Sequence, residues 1–188
     1  MFKIKSILLA AATVVSTLAF AEQEPQTDEF EVDGLKVILR HSVKGTVSAR
    51  LFVLGGTSNY SKEKEGIESL ALNLAVQSGP DSMTKQEFNA AAEKVGARLN
   101  ANAGYDYANL SLTCVKLHWD KSWELFAKSI TNPAWRQTEF DVFRDQLVTA
   151  SKQSVSNPDA QLGRLSMSKA WEGTDYEKFP SGSPEALE

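Results

Sequence analysis

Histidine and cysteine, the side chains that most often bind catalytic zinc, are scarce in this chain of 188 residues, which has two histidines and one cysteine. A catalytic zinc site needs three protein ligands, often two histidines one helical turn apart, and a carboxylate that takes a proton from the bound water. The two histidines, His41 and His118, are far apart in the sequence, and neither has a second histidine four residues away. We therefore expect both side chains to lie on the surface rather than to bind zinc.

Other catalytic and binding patterns are missing. No G-x-S-x-G segment is present to hold a nucleophilic serine on a strained turn, and the glycines lack the spacing of a phosphate loop or a dinucleotide site. The single cysteine, Cys114, alternates with Leu110 and Leu112. This alternation predicts a small buried side chain on one strand face rather than a reactive thiol.

The charged residues exclude one further class of function. The chain has 20 Lys and Arg against 24 Asp and Glu, a net charge of -4, and no basic cluster. Because non-specific nucleic-acid affinity comes from clustered cations, we expect no nucleic-acid partner. The carboxylate pairs Glu63/Glu65 and Asp141/Asp145 lie in polar, helix-like segments, which predicts solvated surfaces.

The first residues have the pattern of an export signal. Two early lysines precede a mostly apolar run, which ends at residues 19–21 in the small-x-small pattern of a signal-peptidase site. The run is too short and too often interrupted by hydroxyl residues for a confident membrane-spanning helix. We expect a signal peptide at 1–21, cleavage near Ala21 and a periplasmic or secreted product, attached to a membrane only through an uncleaved signal. A flexible leader at 22–32 and one domain at 33–188 are predicted to follow.

The elements that would position any site follow from hydrophobic periodicity and turn residues. Apolar residues three and four apart predict helices, while period-two alternation predicts strands, the first two of which should pair with each other. Since the strands are grouped in pairs, the order predicts an α+β fold with an antiparallel sheet and helices packed on one face. The predicted strands are 35–40, 47–54, 97–103 and 107–115, and the predicted helices cover 62–77, 84–96, 123–130, about 140–155 and 157–171.

Six short segments resemble, in order, motifs of a known family. They are residues 33–39, 52–58, 65–67, 93–101, 132–135 and 156–158. These segments are similar to the N-G-L-x-V strand, the G-S/T loop, the start of the first helix, the E-x-x-G-A-x-x-N-A segment and two N-P turns of the pitrilysin/insulinase metallopeptidases, which include the mitochondrial processing peptidase. The resemblance implies the N-terminal domain of that family and its LuxS/processing-peptidase-like metallohydrolase fold.

The catalytic motif is where the chain departs from this family. Active members carry H-x-x-E-H, two zinc-ligand histidines around a general-base glutamate, and a glutamate ligand on a later helix. The matching positions here are Ser69, Leu72, Asn73 and Ala150. The resemblance therefore implies no catalytic residues, no zinc and no other cofactor, although active relatives use zinc. We expect Ser69 and Asn73 to form a polar pair on one helix face, and Ala150 to continue the apolar stripe of its helix.

The resemblance implies a non-catalytic exported homologue, acting as the partner or peptide-binding half of a two-part peptidase. Its expected partners are a catalytic homologue and an extended peptide. Two alternatives stay open. One is a zinc-dependent endopeptidase with unusual ligands, such as His41 or His118 with acidic residues. The other is a truncated gene product, because the family's domain continues after residues 180–185 through a last helix and strand, whereas this chain ends at Glu188.

Overall fold

The computed structural model describes residues 26–188. The predicted signal peptide at 1–21 and the first part of the predicted leader lie outside the described residues. Within 26–188, no helix is long and apolar enough to cross a membrane. The chain divides after Val43 into two compact units, an N-terminal and a C-terminal one.

The N-terminal unit contains an antiparallel hairpin of β1 (Thr27–Val32) and β2 (Leu35–Arg40). The two strands meet at the turn Asp33-Gly34, in which both residues have positive φ, 50° and 81°. An Asp-Gly pair adopts this conformation easily, and it matches the twist of paired strands. The sequence therefore specifies a tight two-residue turn at this point.

Two expectations for this region are wrong. Residues 22–32 were expected to be a flexible leader, but their second half forms β1. The strand at 35–40 was expected to pair with the strand at 47–54, but it pairs with β1 instead. The reason is the cross-strand pairing of apolar residues, because Phe30 lies opposite Val37 and Val32 lies opposite Leu35.

The C-terminal unit contains a three-stranded antiparallel sheet in the order β3-β5-β4. Its strands are β3 (Thr46–Leu54), β4 (Arg98–Ala103) and β5 (Tyr107–Val115). The predicted hairpin of the last two strands is confirmed, and β5 is the central strand. Both β3 and β4 are therefore edge strands of this sheet.

Helices occupy most of the remaining C-terminal unit. The predicted capping box is confirmed, since the Thr84 hydroxyl accepts from the Glu87 amide while the Glu87 carboxylate accepts from the Thr84 amide. Asn157 likewise caps the helix that begins at Pro158. The helices are α1 (Ile67–Ser78), α2 (Lys85–Lys94), α3 (Trp119–Thr131), α4 (Gln137–Ser156), α5 (Pro158–Ala170) and α6 (Pro184–Leu187), with short 3-10 turns at Gly56–Asn59, Lys62–Lys64, Lys116–His118 and Asp175–Glu177.

The hydrophobic core lies between one face of the sheet and helices α1, α2 and α3. Cys114 is buried within it, as its alternation with leucines predicted. A second, smaller cluster joins α1 to α4 through Leu70, Leu74 and Phe143. The predicted α+β architecture, with helices on one face of an antiparallel sheet, is confirmed. The main core consists of Val76, Phe88, Ala92, Ala97, Leu110, Leu112, Cys114, Leu125 and Phe126.

Two glycines bring the start of α1 against the C-terminal segment. Gly66 precedes α1 with a φ of +91°, and a Cβ at this position would lie 2.8 Å from the Cα of Gly182. Gly182 also has a positive φ, +82°. Because Gly66 adopts a left-handed conformation, the helix predicted over 62–77 begins only at Ile67.

This close approach gives a test of stability. Gly66→Ala should destabilise the fold by about 1–2 kcal/mol or more, since an L-residue is disfavoured at this φ and its Cβ would collide with the backbone. Gly163→Ala is the matched control, because it lies in α5 with open space around it, and it should stabilise by about 0.5–1 kcal/mol. Urea unfolding followed by circular dichroism measures both. Equal effects of the two substitutions would contradict the tight contact.

Candidate functional site

Three of the four family positions lie on α1, and all three side chains are partly buried. The Asn73 amide nitrogen donates to the backbone oxygen of Ser69 at 2.8 Å. Gln77, one turn further along, donates to the Asn73 side-chain oxygen at 3.5 Å. Asn73 therefore directs its donor to its own helix, as polar side chains in helices often do.

Leu72 stands at the position of the family's general base and packs against the main core. Leu70 and Leu74, on either side of it in the sequence, pack instead against α4. Helix α1 is thus held on two sides by apolar contacts, one toward the sheet and one toward α4. A carboxylate at position 72 would have to enter this apolar surrounding.

Ala150, the position of the family's third ligand, lies exposed on α4. The expectation that it continues the apolar stripe of its helix is wrong. The cluster between α1 and α4 ends with Leu147, and α4 extends beyond it. The next residue, Ser151, is buried and donates from its hydroxyl to the backbone oxygen of Gly182 at 3.2 Å.

The two histidines lie where the sequence predicts, on the surface. His41 contacts the Asp28 carboxylate at 2.8 Å, and this hydrogen bond lowers the pKa of Asp28. His118 precedes α3 and is exposed. In the part of the chain that the structure describes, no three His, Cys, Asp or Glu side chains converge on one point.

Glu65 is buried, whereas the sequence predicts a solvated side chain. Glu63 is exposed as expected, but Glu65 retains only 3% of its surface and accepts a hydrogen bond from the Phe179 amide at 2.6 Å. The contact of Gly66 with Gly182 brings the C-terminal segment over this carboxylate. The only sequence signal for it was the pair of glycines, which are distant from each other in the chain.

A second buried polar group, which sequence reasoning missed, precedes α1. The Tyr60 hydroxyl is buried and has no hydrogen-bond partner within residues 26–188. Burial, with a smaller contribution from Glu68, raises its pKa to about 12. The backbone oxygen of Tyr60 accepts from the buried Lys178 ammonium at 2.6 Å, and Lys178 also contacts Asp175 at 2.7 Å. These contacts attach the C-terminal segment to the loop before α1.

A groove of about 320 Å³ runs beside the edge strand β4. Gln77 of α1 and Asn89 of α2 line one side, and Arg98 and Asn100 of β4 line the other. Gln77 is also the residue that donates to Asn73. The groove therefore links the open edge of the sheet to the helix that bears the family positions.

Comparison with known proteins identifies the family. The family model described as Insulinase (Peptidase family M16) matches residues 36–179, which is most of the chain. The chain belongs to the insulinase family of peptidases, and the resemblance found in the sequence is confirmed. No curated protein matches the sequence.

Two solved structures have similar folds. The structure of a protease from Helicobacter pylori superposes on this chain with a TM-score of 0.75 and 20% sequence identity. The superposition covers 87% of this chain and 40% of the protease chain. The structure described as a peptidase M16 inactive domain from Pseudomonas fluorescens superposes with a TM-score of 0.78 and 18% sequence identity. This superposition covers 86% of this chain and 40% of the other chain. At these identities the likeness shows the fold alone, and this chain spans about 40% of the length of either structure.

The residues at the family positions do not fit zinc. The metal is bound by imidazole, thiolate or carboxylate groups, whereas this chain offers a hydroxyl, an isobutyl group, an amide and a methyl group. The amide nitrogen of Asn73 is bonded to the helix backbone, and Ala150 has no ligand atom.

The packing of Leu72 gives a second test. Leu72→Glu should lower the free energy of unfolding by about 2 kcal/mol or more, because an unpaired carboxylate enters an apolar contact. Leu72→Met is the control and should cost less than about 1.5 kcal/mol, because it conserves volume. Urea unfolding at neutral pH measures both variants. A glutamate variant as stable as the methionine variant would show that position 72 is open to water.

The buried tyrosine predicts a loss of stability at high pH. Between pH 10 and about 12 the unfolded chain releases the Tyr60 proton while the folded chain keeps it, so the free energy of unfolding falls as pH rises. Tyr60→Phe should lose less stability over this range, and at neutral pH it should be nearly neutral, because it removes a hydroxyl without a partner. Tyr107→Phe, at an exposed tyrosine, should retain the parental pH dependence. An unchanged pH dependence in Tyr60→Phe would contradict the burial of the hydroxyl.

Proposed function

We propose that this chain is a non-catalytic member of the insulinase family that binds an extended peptide beside a zinc-bearing partner subunit. The observation that carries the proposal is the set of side chains at Ser69, Leu72, Asn73 and Ala150, none of which is a zinc ligand or a general base. The solved Pseudomonas fluorescens structure, described as an inactive domain, supports the idea that such domains occur in this family.

The groove beside β4 supports peptide binding. An edge strand offers unpaired backbone N-H and C=O groups to which an extended peptide can add as a further strand. Among residues 26–188, strand β4 is hydrogen-bonded to β5 alone, and the groove leaves space beside β4. Amide side chains of Gln77, Asn89 and Asn100 could supply further hydrogen bonds to a peptide backbone.

The proposal places the protein in the periplasm or outside the cell. Its support is the basic, apolar and small-residue order of residues 1–21, which is the order of an export signal. The peptide and the partner would then be met in the same compartment. A zinc-bearing subunit would supply the catalytic groups that this chain lacks.

Metal content and peptide binding test the proposal together. The purified chain should contain no stoichiometric zinc after incubation with zinc and dialysis, because the family positions lack ligands. It should nevertheless bind a pool of fluorescein-labelled tryptic peptides of casein, measured by fluorescence anisotropy. One bound zinc per chain together with cleavage of these peptides would overturn the proposal.

A matched pair of variants locates the peptide. Asn89→Trp places a large side chain in the groove and should weaken peptide binding at least about tenfold, or about 1.4 kcal/mol. Ala90→Trp, at the next exposed position of α2 but outside the groove, should bind as the parent does. Equal binding by both variants would show that the peptide does not lie beside β4.

A further inference from the structure

A second cleft, of about 440 Å³, lies in the C-terminal unit, and its lining includes neither the family positions nor residues of β4. Its volume falls in the range of sites that hold small ligands. It differs from the groove because its walls carry charges of both signs around one aromatic ring. The residues concerned are Lys62, Glu63, Glu65, Arg164, Phe179 and Glu185.

The cation of this cleft is held in place by uncharged groups. The Arg164 guanidinium carbon lies 3.8 Å from the centre of the Phe179 ring, and a guanidinium nitrogen lies 3.5 Å from the backbone oxygen of Gly182. Across residues 26–188, Arg164 forms no ion pair with a carboxylate. Its charge therefore faces the cleft in a fixed position without being neutralised.

The carboxylates of the cleft likewise form no ion pair within residues 26–188. One oxygen of the buried Glu65 carboxylate accepts from the Phe179 amide, which fixes the side chain without cancelling its charge. Glu63 and Glu185 are exposed, and no Lys or Arg among the described residues pairs with any of the three. Lys62 pairs with Glu177, and its charge also attracts Glu63 and Glu65 without forming an ion pair with either. The cleft thus has carboxylates on one side and, at Arg164, a cation that forms no ion pair with them.

We propose that this cleft binds a zwitterionic ligand of amino-acid or dipeptide size. The ligand carboxylate contacts the Arg164 guanidinium, which can hold it through two parallel hydrogen bonds. The ligand ammonium group lies against Glu63 and Glu65. Both ion pairs need the ligand, since Arg164 forms none with the carboxylates of the cleft. This site is separate from the groove and does not depend on the proposed function.

Calorimetric titration of the purified chain with the dipeptide Leu-Leu and two blocked derivatives tests the proposal. Leu-Leu should bind with one molecule per chain. N-acetyl-Leu-Leu, which lacks the ammonium group, and Leu-Leu amide, which lacks the carboxylate, should each bind at least about tenfold more weakly. No binding of Leu-Leu at concentrations up to about 10 mM, or equal binding of a blocked derivative, would overturn the proposal.

Substitutions locate the ligand in the cleft. Arg164→Gln and Glu63→Gln should each weaken Leu-Leu binding at least about tenfold, and Glu63 is exposed, so its loss does not threaten the fold. Lys169→Gln and Glu172→Gln, a neighbouring ion pair outside the cleft, should bind as the parent does. Unchanged affinity in both cleft variants would overturn the proposal.

The groove variant separates this proposal from the proposed function. Asn89→Trp should leave Leu-Leu binding unchanged while it weakens binding of the casein peptides. If Asn89→Trp abolishes Leu-Leu binding, the dipeptide lies beside β4 and the cleft proposal is wrong. If casein peptides fail to bind the parent chain but Leu-Leu binds as described, only the proposed function fails.

Discussion

The contact between the backbones of Gly66 and Gly182 is the constraint on which the arrangement around α1 depends. Because neither residue has a side chain, the loop before α1 and the C-terminal segment approach within van der Waals distance. This approach buries Glu65 under the Phe179 amide and brings Lys178 to the Tyr60 carbonyl. It also sets the residue at which α1 begins. A long-range contact thus positions the helix on which the family would build its catalytic centre.

On that helix, the residues at the family positions take part in packing and in hydrogen bonds within the helix. With Leu72 in contact with the core and Asn73 bonded to the helix backbone, α1 stabilises the C-terminal unit from two sides. A leucine in place of a glutamate removes the need to keep a charged group hydrated or paired beside the sheet. The groove beside β4 and the cleft lined by Glu65 and Arg164 are formed by other side chains of the C-terminal unit.

Local patterns predicted much of the fold, and long-range contacts account for the rest. The capping box at Thr84, the helix start at Pro158 and the buried Cys114 depend on neighbours in sequence, and each was predictable. The pairing of β1 with β2, the burial of Glu65 and the exposure of Ala150 depend on which distant segment covers them. Composition and periodicity carry no information on such partners. The spacing of short motifs determines the family positions. The cleft at Arg164 had no sequence signal, because distant segments of the chain line it.

The burial of Cys114 decides when its thiol can react. Its thiol lies on the central strand of the sheet and is 2% exposed, so oxidants and other thiols reach it only when β5 separates from the helices. In an oxidising compartment a folded chain keeps its single cysteine reduced, whereas an opened chain can form a disulfide with a neighbouring molecule. Covalent crosslinking then distinguishes chains that have lost the core from chains that retain it, and it makes opening irreversible.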